Sequence, residues 1–492
     1  LKQLEQANLF LIPLDDERNW YRYHHLFAEL LRNNLQHRSE AEETFVESPS
    51  TLHDKASKWF EDNSFPIESV QHALLSGNSD HAADLIELAW PDMERSFQSH
   101  IWLGLVERLS SEIIEKRPVL CANLGSSLIM KGEFEEGEYW LNKAEQWLSK
   151  PPSESSQEMT VNDKNQLNNL PASIAETRVY LAQSLDDDEN VVKYANIALE
   201  LLPDDDYVRK GIAKGLMGCT LWANGELDKA YKAFEEVKAG HHIAKNYHFE
   251  LAIVLGLGGI QVTKGELTKT IELYKQTIQL AFDPKYSAKA VAADIYLELS
   301  QLQLERGELD HAIESHQKSK ELADQAALSD WHYRWVIAQA KILEFQMKWD
   351  EAILAYDQAN ELFLKTPRPN LRPISAMKVR VQLRKGELSG PVQWVQEKEF
   401  DLDRIPVYLN EFSYLTFAKV LITQFAKEQQ HQNINRLSIV LNQMLDKARE
   451  EGRVFSVLEI LIIQALMFQT QNNTEKAVEK LSEALQLAEP QC

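Results

Sequence analysis

The tripeptide Gly225-Glu226-Leu227 is repeated at Gly265-Glu266-Leu267, Gly307-Glu308-Leu309 and Gly386-Glu387-Leu388. A degenerate copy, Met347-Lys348-Trp349, stands between the third and the fourth. Successive copies are 40, 42, 40 and 39 residues apart, and each lies between two segments with helical periodicity. A fixed period of this length is typical of a stacked array of helical hairpins, in which each hairpin packs only on its neighbours.

The glycine in each turn has a physical reason. Glycine can end the first helix of a hairpin because it enters the left-handed backbone conformation without a Cβ penalty. The second helix carries a small residue soon after the turn, as at Ala230, Ala312 and Ala352, which lets the two helices approach closely. Weaker copies extend the array, with further turns expected at Gly77, Gly132, Asp186–Asn190, Gln429–Asn433 and Asn472. We therefore predict an all-α fold, an α-solenoid or superhelix of TPR-like helical hairpins.

Composition narrows the classes of function. The chain of 492 residues has a formal net charge of −23, which disfavours binding to nucleic-acid backbones. Its three cysteines, Cys121, Cys219 and Cys492, share no close spacing, so they predict neither a disulfide framework nor a metal site. No apolar run reaches the roughly 18 residues that would predict a membrane span. We therefore expect a cytoplasmic protein.

The beginning of the chain differs from the rest. Leu9–Leu14 is apolar, Asp15–Asn19 is polar and turn-like, and Trp20–Tyr23 is aromatic and strand-like. His24–Leu31 then shows helical periodicity. A β-hairpin that leads into a helix is the layout of the end of a winged-helix domain. We therefore predict a short winged-helix remnant at the N-terminus.

A family resemblance becomes specific in two blocks of this region. Leu9–Asp16 and Trp20–Phe27 are similar to the end of the winged helix in MalT-type, LuxR-family transcriptional regulators, which are ATP-dependent activators of the STAND class. The similarity continues, more weakly, through Ile67–Leu74, Arg117–Leu120 and Tyr408–Phe412. The sequence contains neither a phosphate-loop motif nor a basic recognition helix, so we expect it to be the inner part of such a regulator.

The resemblance implies three parts. We expect residues 1–38 to be the C-terminal part of the winged-helix domain, 39–125 a helical linker region, and 126–492 the TPR-like repeat superhelix. Within the repeats, a segment at about 150–170 is rich in Pro, Ser, Asn and Gln, a composition that predicts a flexible insertion.

The resemblance also implies a function in signal sensing. In the regulator that gives the family its name, the repeats bind an oligosaccharide inducer, and binding is linked to ATP-driven self-association and DNA activation. We expect an inducer-binding and protein-interaction repeat domain, whose partner is a small molecule such as an oligosaccharide, or a regulatory protein. No direct nucleic-acid contact, no membrane contact and no cofactor are expected here, since ATP or ADP with Mg would belong to the full-length regulator. The alternative is a TPR-type scaffold that grips a partner peptide.

Two motifs invite a nucleotide-binding interpretation. His24 is similar to the histidine of STAND winged helices that contacts the β-phosphate of bound ADP and holds the resting state. The alternative is a histidine that caps or packs at the strand–helix junction. Leu255–Gly259 is glycine-rich like a phosphate loop, but no strand precedes it and no Lys-Ser or Lys-Thr pair follows, so we interpret its glycines as close helix packing.

Two segments concentrate aromatic and charged residues in the first helix of a hairpin, which faces inward in a TPR-like array. One holds Trp331 and Arg334, and the other holds Tyr408, Glu411 and Tyr414. Flat aromatic faces beside charged donors and acceptors can stack on a sugar or aromatic ligand and hydrogen-bond to it. We predict that these residues bind the inducer. The alternative is repeat core, the usual role of aromatic residues at helical spacing.

We predict that this chain neither hydrolyses ATP nor binds duplex DNA. We find no phosphate loop, no catalytic pair and no metal-ligand set in the sequence, so we expect no enzyme activity. The charge of −23 repels nucleic acid. Phosphate release and fluorescence anisotropy with labelled duplexes at physiological salt measure the two activities. Measurable ATP turnover, or sub-micromolar DNA binding, would contradict the prediction.

Overall fold

Most first helices of the array end at a residue with a left-handed backbone conformation. At Gly225, where φ is 85°, the amide donates to the Trp222 carbonyl (3.0 Å), and the next amide, of Glu226, donates to the Leu221 carbonyl (2.9 Å). These two bonds satisfy carbonyls that the end of a helix otherwise leaves free. The same pair of bonds recurs at Gly132, Asp186, Gly265, Gly307, Met347, Gly386 and Asn472. The turns predicted at these positions are therefore confirmed.

The structure also contains left-handed turns that the repeat pattern did not predict. Ser64, Lys245 and Gly452 have φ of 64°, 56° and 66°. Two of the three lack the glycine on which the prediction depended, because an exposed non-glycine residue can occupy this conformation at a modest energetic cost. The turn predicted at Gln429–Asn433 lies outside the described residues.

The computed structural model describes residues 11–13, 21–40, 47–95, 99–149, 159–286, 288–323, 330–398, 400–428 and 434–489. It divides into two compact units, residues 1–177 and 178–492. The three domains predicted from the sequence are a finer division, and their bounds stay a prediction.

The first unit opens with the hairpin and helix that the sequence predicts. Strands β1 (Leu11–Pro13) and β2 (Tyr21–Tyr23) pair antiparallel, with Leu11 opposite Tyr23, and lead to helix α1 (His25–Glu40). The helices that follow are α2 (Pro49–Asp62), α3 (Pro66–Ser76), α4 (Ser79–Arg95), α5 (Ser99–Val106), α6 (Ser111–Glu115), α7 (Pro118–Lys131) and α8 (Phe134–Ser149). Helix α9 (Lys164–Ser184) contributes residues to both units.

The second unit is a series of helical hairpins. Its helices are α10 (Asp188–Leu201), α11 (Tyr207–Ala223), α12 (Leu227–Ile243), α13 (Tyr247–Ala252), α14 (Val254–Thr263), α15 (Leu267–Phe282), α16 (Lys289–Glu305), α17 (Leu309–Ala323), α18 (Trp331–Phe345), α19 (Trp349–Glu361), α20 (Ile374–Lys385), α21 (Ser389–Lys398), α22 (Tyr408–Glu428), α23 (Ile434–Glu450), α24 (Val454–Thr470) and α25 (Thr474–Ala488). The all-α fold of TPR-like hairpins is thereby confirmed.

The glycines of α14 serve helix packing. The buried ring of Phe234 on α12 lies against α14 so closely that a Cβ added at Gly256 would be 2.8 Å from it. Gly258 and Gly259 are approached as closely by the side chains of Tyr274 and Trp222. Three large aromatic groups thus occupy positions that only glycine leaves open, which offsets the low helix propensity of the run.

The predicted insertion is too long at its C-terminal end. Residues 150–158 lie outside the described part of the chain, but α9 already begins at Lys164. Leu170 is buried, so this polar stretch presents one apolar face that packs. Because Asn and Gln are abundant in this stretch, its apolar face is not apparent from composition. Pro171 lies within the helix.

We predict opposite effects of glycine at two neighbouring turns. Met347 has a φ of 60° and its side chain is 74% exposed, so Met347→Gly should stabilise the fold by about 0.5 kcal/mol or more through relief of left-handed strain. Gly307→Ala should destabilise it by about 1–2 kcal/mol, because a φ of 77° is unfavourable for a residue with a Cβ atom. No neighbouring atom hinders the new methyl group, so the backbone conformation alone accounts for this loss.

The denaturant midpoint measures both changes. Leu354→Gly, at an exposed interior position of α19, is the control and should destabilise by about 1 kcal/mol. A loss of stability in Met347→Gly equal to that of the control would show that the turn carries no strain.

Candidate functional site

Two adjoining cavities lie on the inner face of the second unit, where the first helices of successive hairpins meet. The central cavity, of about 240 Å³, is lined chiefly by α14, α16, α18, α22, α24 and the connecting segment, residues 362–373 between α19 and α20. The flanking cavity, of about 500 Å³, lies against α16, α18, α20, α22 and α24. Residues common to both include Gln301, Lys341, Arg372, Phe412, Phe455 and Glu459. A ligand in one cavity can therefore reach into the other.

The wall of the central cavity combines aromatic rings with balanced charges. The rings belong to Trp222, Tyr274, Tyr333, Tyr408, Phe412 and Phe455. Four cationic side chains, Arg334, Lys341, Arg368 and Arg372, accompany four carboxylates, Glu298, Glu305, Glu411 and Glu459. Its lining is close to neutral, in contrast to the chain as a whole.

Helices that are distant in sequence close this space. The hydroxyls of Thr263 on α14 and Tyr408 on α22 lie 3.1 Å apart across a separation of 145 residues. Arg453, at the start of α24, lies over the Tyr408 ring, 4.8 Å from its centroid. The array therefore brings α14, α22 and the start of α24 together around the cavity.

The connecting segment crosses the inner face. Lys365 donates to Asp186 and to the Ser184 carbonyl, each at 3.0 Å, and so reaches the beginning of the second unit. Further along, Arg368 pairs with Glu298 at 2.8 Å and Arg372 with Glu305 at 3.5 Å, both on α16.

Its sequence explains why the segment does not join a helix. Pro367, Pro369 and Pro373 lack an amide donor and favour extended backbone in the residues before them. Leu371 packs against the apolar cluster that contains Trp222, which anchors the segment at the edge of the central cavity. The segment thus forms part of the cavity wall.

A buried ion-pair network lies on α16 and α18. Arg334 contacts Asp294, Glu298 (3.2 Å) and Asp330 (3.1 Å). Burial alone would raise the pKa of Glu298, but Arg368 and Arg334 outweigh it and hold that pKa at about 2. Glu298 is therefore an anion at any physiological pH, which suits it to a structural or ligand-contacting role and excludes it as a proton donor.

A second buried pair joins α22 to α24. Glu411 and Arg453 form an ion pair, with 5% and 2% of their surfaces exposed. Arg453 also donates to Glu451 at 2.7 Å and to the Ser456 hydroxyl at 3.3 Å. Glu411 therefore lines the cavity and, through its ion pair with Arg453, also links α22 to the start of α24.

The structure brings together three of the five residues predicted to bind the inducer. Arg334, Tyr408 and Glu411 line the central cavity. Trp331 and Tyr414 do not line either cavity. Ligand binding by any of the five stays a prediction.

Trp331 and Tyr414 pack between helices instead. The indole of Trp331 donates to the Ser319 hydroxyl on α17 at 3.0 Å, in a cluster with Ala293 and Leu297. The Tyr414 hydroxyl donates to the Asp401 carbonyl at 3.2 Å, and its ring meets the edge of Phe400. Helical spacing located these rings on one face of each helix, but only packing decided which neighbour that face meets.

Several site residues were missed by the sequence analysis, among them Tyr333, Lys341, Arg368, Arg372, Phe455 and Glu459. One signal could have found some of them. Asp294 contacts Arg334, Gln301 contacts Lys341, and Lys419 contacts Glu459, and in each pair the partners are 40 residues apart. That separation equals the repeat period, so complementary polar residues one period apart mark the inner face.

Comparison with known proteins decides the family. The family model described as the MalT-like TPR region matches residues 172–492, and that of the MalT winged helix domain matches residues 1–43. The chain belongs to the MalT-like family. The repeat region of such a transcriptional regulator is a sensor or protein-interaction region.

Relatives with the printed name HTH-type transcriptional regulator MalT extend this match. The one from Vibrio cholerae is 21% identical over 492 residues, covering 99% of this chain and 51% of the relative. The one from Klebsiella pneumoniae strain 342 is 25% identical over 281 residues, covering 57% of this chain and 29% of the relative. The chain therefore spans about half the length, or less, of the curated relatives it matches.

A solved structure supports the fold alone. The Rap protein complexed with competence and sporulation factor aligns with a TM-score of 0.50 and 9% identity, covering 76% of this chain and 98% of that one. Such a score at such an identity reports a shared arrangement of helical hairpins.

Other candidate positions of the MalT-like chain are less informative. His24 directly precedes α1, its carbonyl accepts the Ala28 amide at 3.0 Å, and its nucleotide-sensing role stays a prediction. Burial raises the pKa of the Cys121 and Cys219 thiols to about 12, so both stay protonated. Within the described ranges no three His, Cys, Asp or Glu side chains are grouped to hold a metal ion. None of the helices described is long and apolar enough to cross a membrane.

We predict that Glu411→Ala destabilises this MalT-like domain by about 3 kcal/mol, because it leaves the buried Arg453 guanidinium without its main partner. Replacing both residues, in Glu411→Met with Arg453→Met, should be less destabilising than Glu411→Ala alone. Chemical denaturation of Glu411→Met, Arg453→Met and the double variant measures the coupling. Additive effects of the two single changes would show that the pair contributes no coupling energy.

Proposed function

We propose that the second unit is the inducer-sensing domain of a MalT-like regulator, and that a small polar ligand binds in the central cavity. The observation that carries the proposal is that many separate parts of the chain form the wall of the central cavity. Helices from at least five hairpins and the connecting segment contribute to it. A single ligand there would contact elements that are far apart in the chain, so its binding energy can act on the arrangement of the whole array.

The chemistry of the wall favours a polyhydroxylated ligand. Tyr333, Tyr408, Phe412 and Phe455 present aromatic rings, and charged donors and acceptors lie between them. Sugars combine apolar C–H faces with many hydroxyl groups, which such a wall can stack on and hydrogen-bond. The oligosaccharide inducer implied by the family resemblance fits this description.

The connecting segment favours a small molecule over a long peptide. Through Lys365, Arg368 and Arg372 it is held to both Asp186 and α16, so it crosses the inner face. An extended peptide in the groove would have to displace these ion pairs. The protein-interaction role of the repeats therefore belongs to surfaces other than the central cavity.

Sensing requires that the ligand prefer one state of the regulator. A ligand that bridges the connecting segment and α24 favours the conformation in which both have their present positions. Self-association, ATP use and DNA activation belong to the full-length regulator and are part of the proposal only for that protein. The chain itself acts as a binding domain and not as an enzyme.

We expect maltooligosaccharides of increasing length, tested on the 492-residue chain by thermal shift and calorimetry, to include at least one that binds. A ligand at 100 times its dissociation constant adds about 2.7 kcal/mol of stability. Phe455→Ala should weaken binding about tenfold or more, because this half-buried ring lies on the walls of both cavities.

Phe282→Ala is the matched control. Phe282 is an exposed phenylalanine at the end of α15 that lines neither cavity. Equal losses of affinity in the two variants would place the ligand elsewhere. If peptides from an unrelated library bind the chain, and Phe455→Ala binds them with unchanged affinity, the scaffold alternative is favoured.

A further inference from the structure

The flanking cavity is cationic, although the chain is strongly acidic. Five basic side chains line it, Lys341, Arg372, Arg380, Arg384 and Lys419. Three carboxylates line it as well, Glu305, Glu344 and Glu459. The lining therefore carries an excess of two positive charges inside a chain with a net charge of −23.

The three carboxylates are already engaged. Glu459 is shared by Arg380 at 2.5 Å and Lys419 at 2.9 Å. Glu344 accepts both from Arg384 and from the Tyr356 hydroxyl. These bonds leave little capacity for further cations.

Lys341 has no carboxylate in direct contact among the ion pairs of the described residues. Its ammonium group donates instead to the Gln301 amide oxygen at 2.6 Å. Nearby Glu298 is engaged by Arg334 and Arg368, and Glu305 by Arg372. Lys341 therefore lines the cavity with no carboxylate of the described residues in direct contact, and Glu305, Glu298 and Glu344 act on it only from a distance.

Crowded cations are unfavourable without a counter-charge. Burial first, and the neighbouring Arg372 second, lower the pKa of Lys341 to about 8. Burial also lowers the pKa values of Arg380 and Lys419. A cleft in which burial and like charges disfavour the charged forms of its own side chains is characteristic of a ligand site.

We propose that the flanking cavity binds the phosphate group of a phosphorylated small molecule, whose body extends into the central cavity. A phosphate monoester carries nearly two negative charges at neutral pH and so matches the excess of two. Arginine side chains suit phosphate oxygens geometrically. Phe412, Phe455 and Met377 line both cavities and give the ligand an uncharged passage between them.

This inference rests on the proposed function and specifies its ligand. A neutral oligosaccharide would use the central cavity alone. A phosphorylated sugar would use both, and the flanking cavity would contribute most of its affinity and its selectivity against neutral sugars. The flanking wall also has an apolar part, from Leu304, Phe345, Leu458 and Ile462, against which the body of a sugar can pack.

The test titrates the 492-residue chain near pH 7 with inorganic phosphate, glucose 6-phosphate and glucose at constant ionic strength. We expect phosphate and glucose 6-phosphate to raise the thermal midpoint and to give calorimetric binding. Lys341→Gln should weaken both about tenfold or more. The same variant should match or exceed the wild type in thermal midpoint without ligand, because it removes a charge that burial disfavours and that no carboxylate contacts directly.

Lys378→Gln is the matched control. Lys378 lies on α20, pairs with Asp357 at 2.5 Å and lines neither cavity, so its affinity for phosphate should stay within about twofold of the wild type. Equal weakening in the two variants, or no phosphate binding by the wild type at millimolar concentration, would overturn the inference. If a neutral oligosaccharide binds while phosphate does not, the proposed function stands and this inference falls.

The pH dependence supplies an independent readout. The groups facing Lys341 are Arg372, Glu305, Glu298 and Glu344, and the pKa of Lys341 itself is lowered to about 8. Because Lys341 loses its charge above about pH 8, the affinity for phosphate should fall between about pH 7 and about pH 9, with proton uptake on binding at the higher pH. In Lys341→Gln that fall should disappear, and its persistence would assign the pH dependence to another group.

Discussion

The left-handed residue at the end of a first helix is the constraint on which the second unit depends. It lets the amides after the helix return to the carbonyls of its last turn, and so fixes the direction in which the second helix leaves. Because the turns recur about every 40 residues, each hairpin repeats the geometry of the one before. Equivalent positions of successive first helices therefore align on one inner face.

This alignment explains the polar character of that face. Side chains one repeat apart touch, as Asp294 and Arg334 do, or Lys419 and Glu459. Buried charges are costly unless they are paired, and for most of them the constant register supplies a partner of opposite sign at a predictable place. The apolar residues, in contrast, fill the space between the two helices of a hairpin and between hairpins. The inner face is thus available for a polar ligand without loss of the core.

The connecting segment gives the array a second kind of long-range link. Its prolines keep it out of the helices, and its basic residues tie it to Asp186 at one end of the inner face and to α16 at the middle. Hairpins that are not neighbours in the array thus contact one shared element. A ligand beside the segment can therefore influence distant repeats through a single contact, which is a useful property in a sensor.

The sequence by itself determined the hairpins, their period, most of their turns and the hairpin that leads into α1. These features depend on local backbone preferences and helical periodicity, which neighbouring residues encode. It also located Arg334, Tyr408 and Glu411 on inward helices. It did not distinguish them from Trp331 and Tyr414, because spacing along one helix does not reveal which neighbour covers a face. Only the tertiary structure decided that α14, α22 and α24 meet, that the connecting segment crosses the inner face, and that Lys341 donates to Gln301. Those facts depend on how small rotations between hairpins add up along the array, a sum that no single stretch of sequence contains.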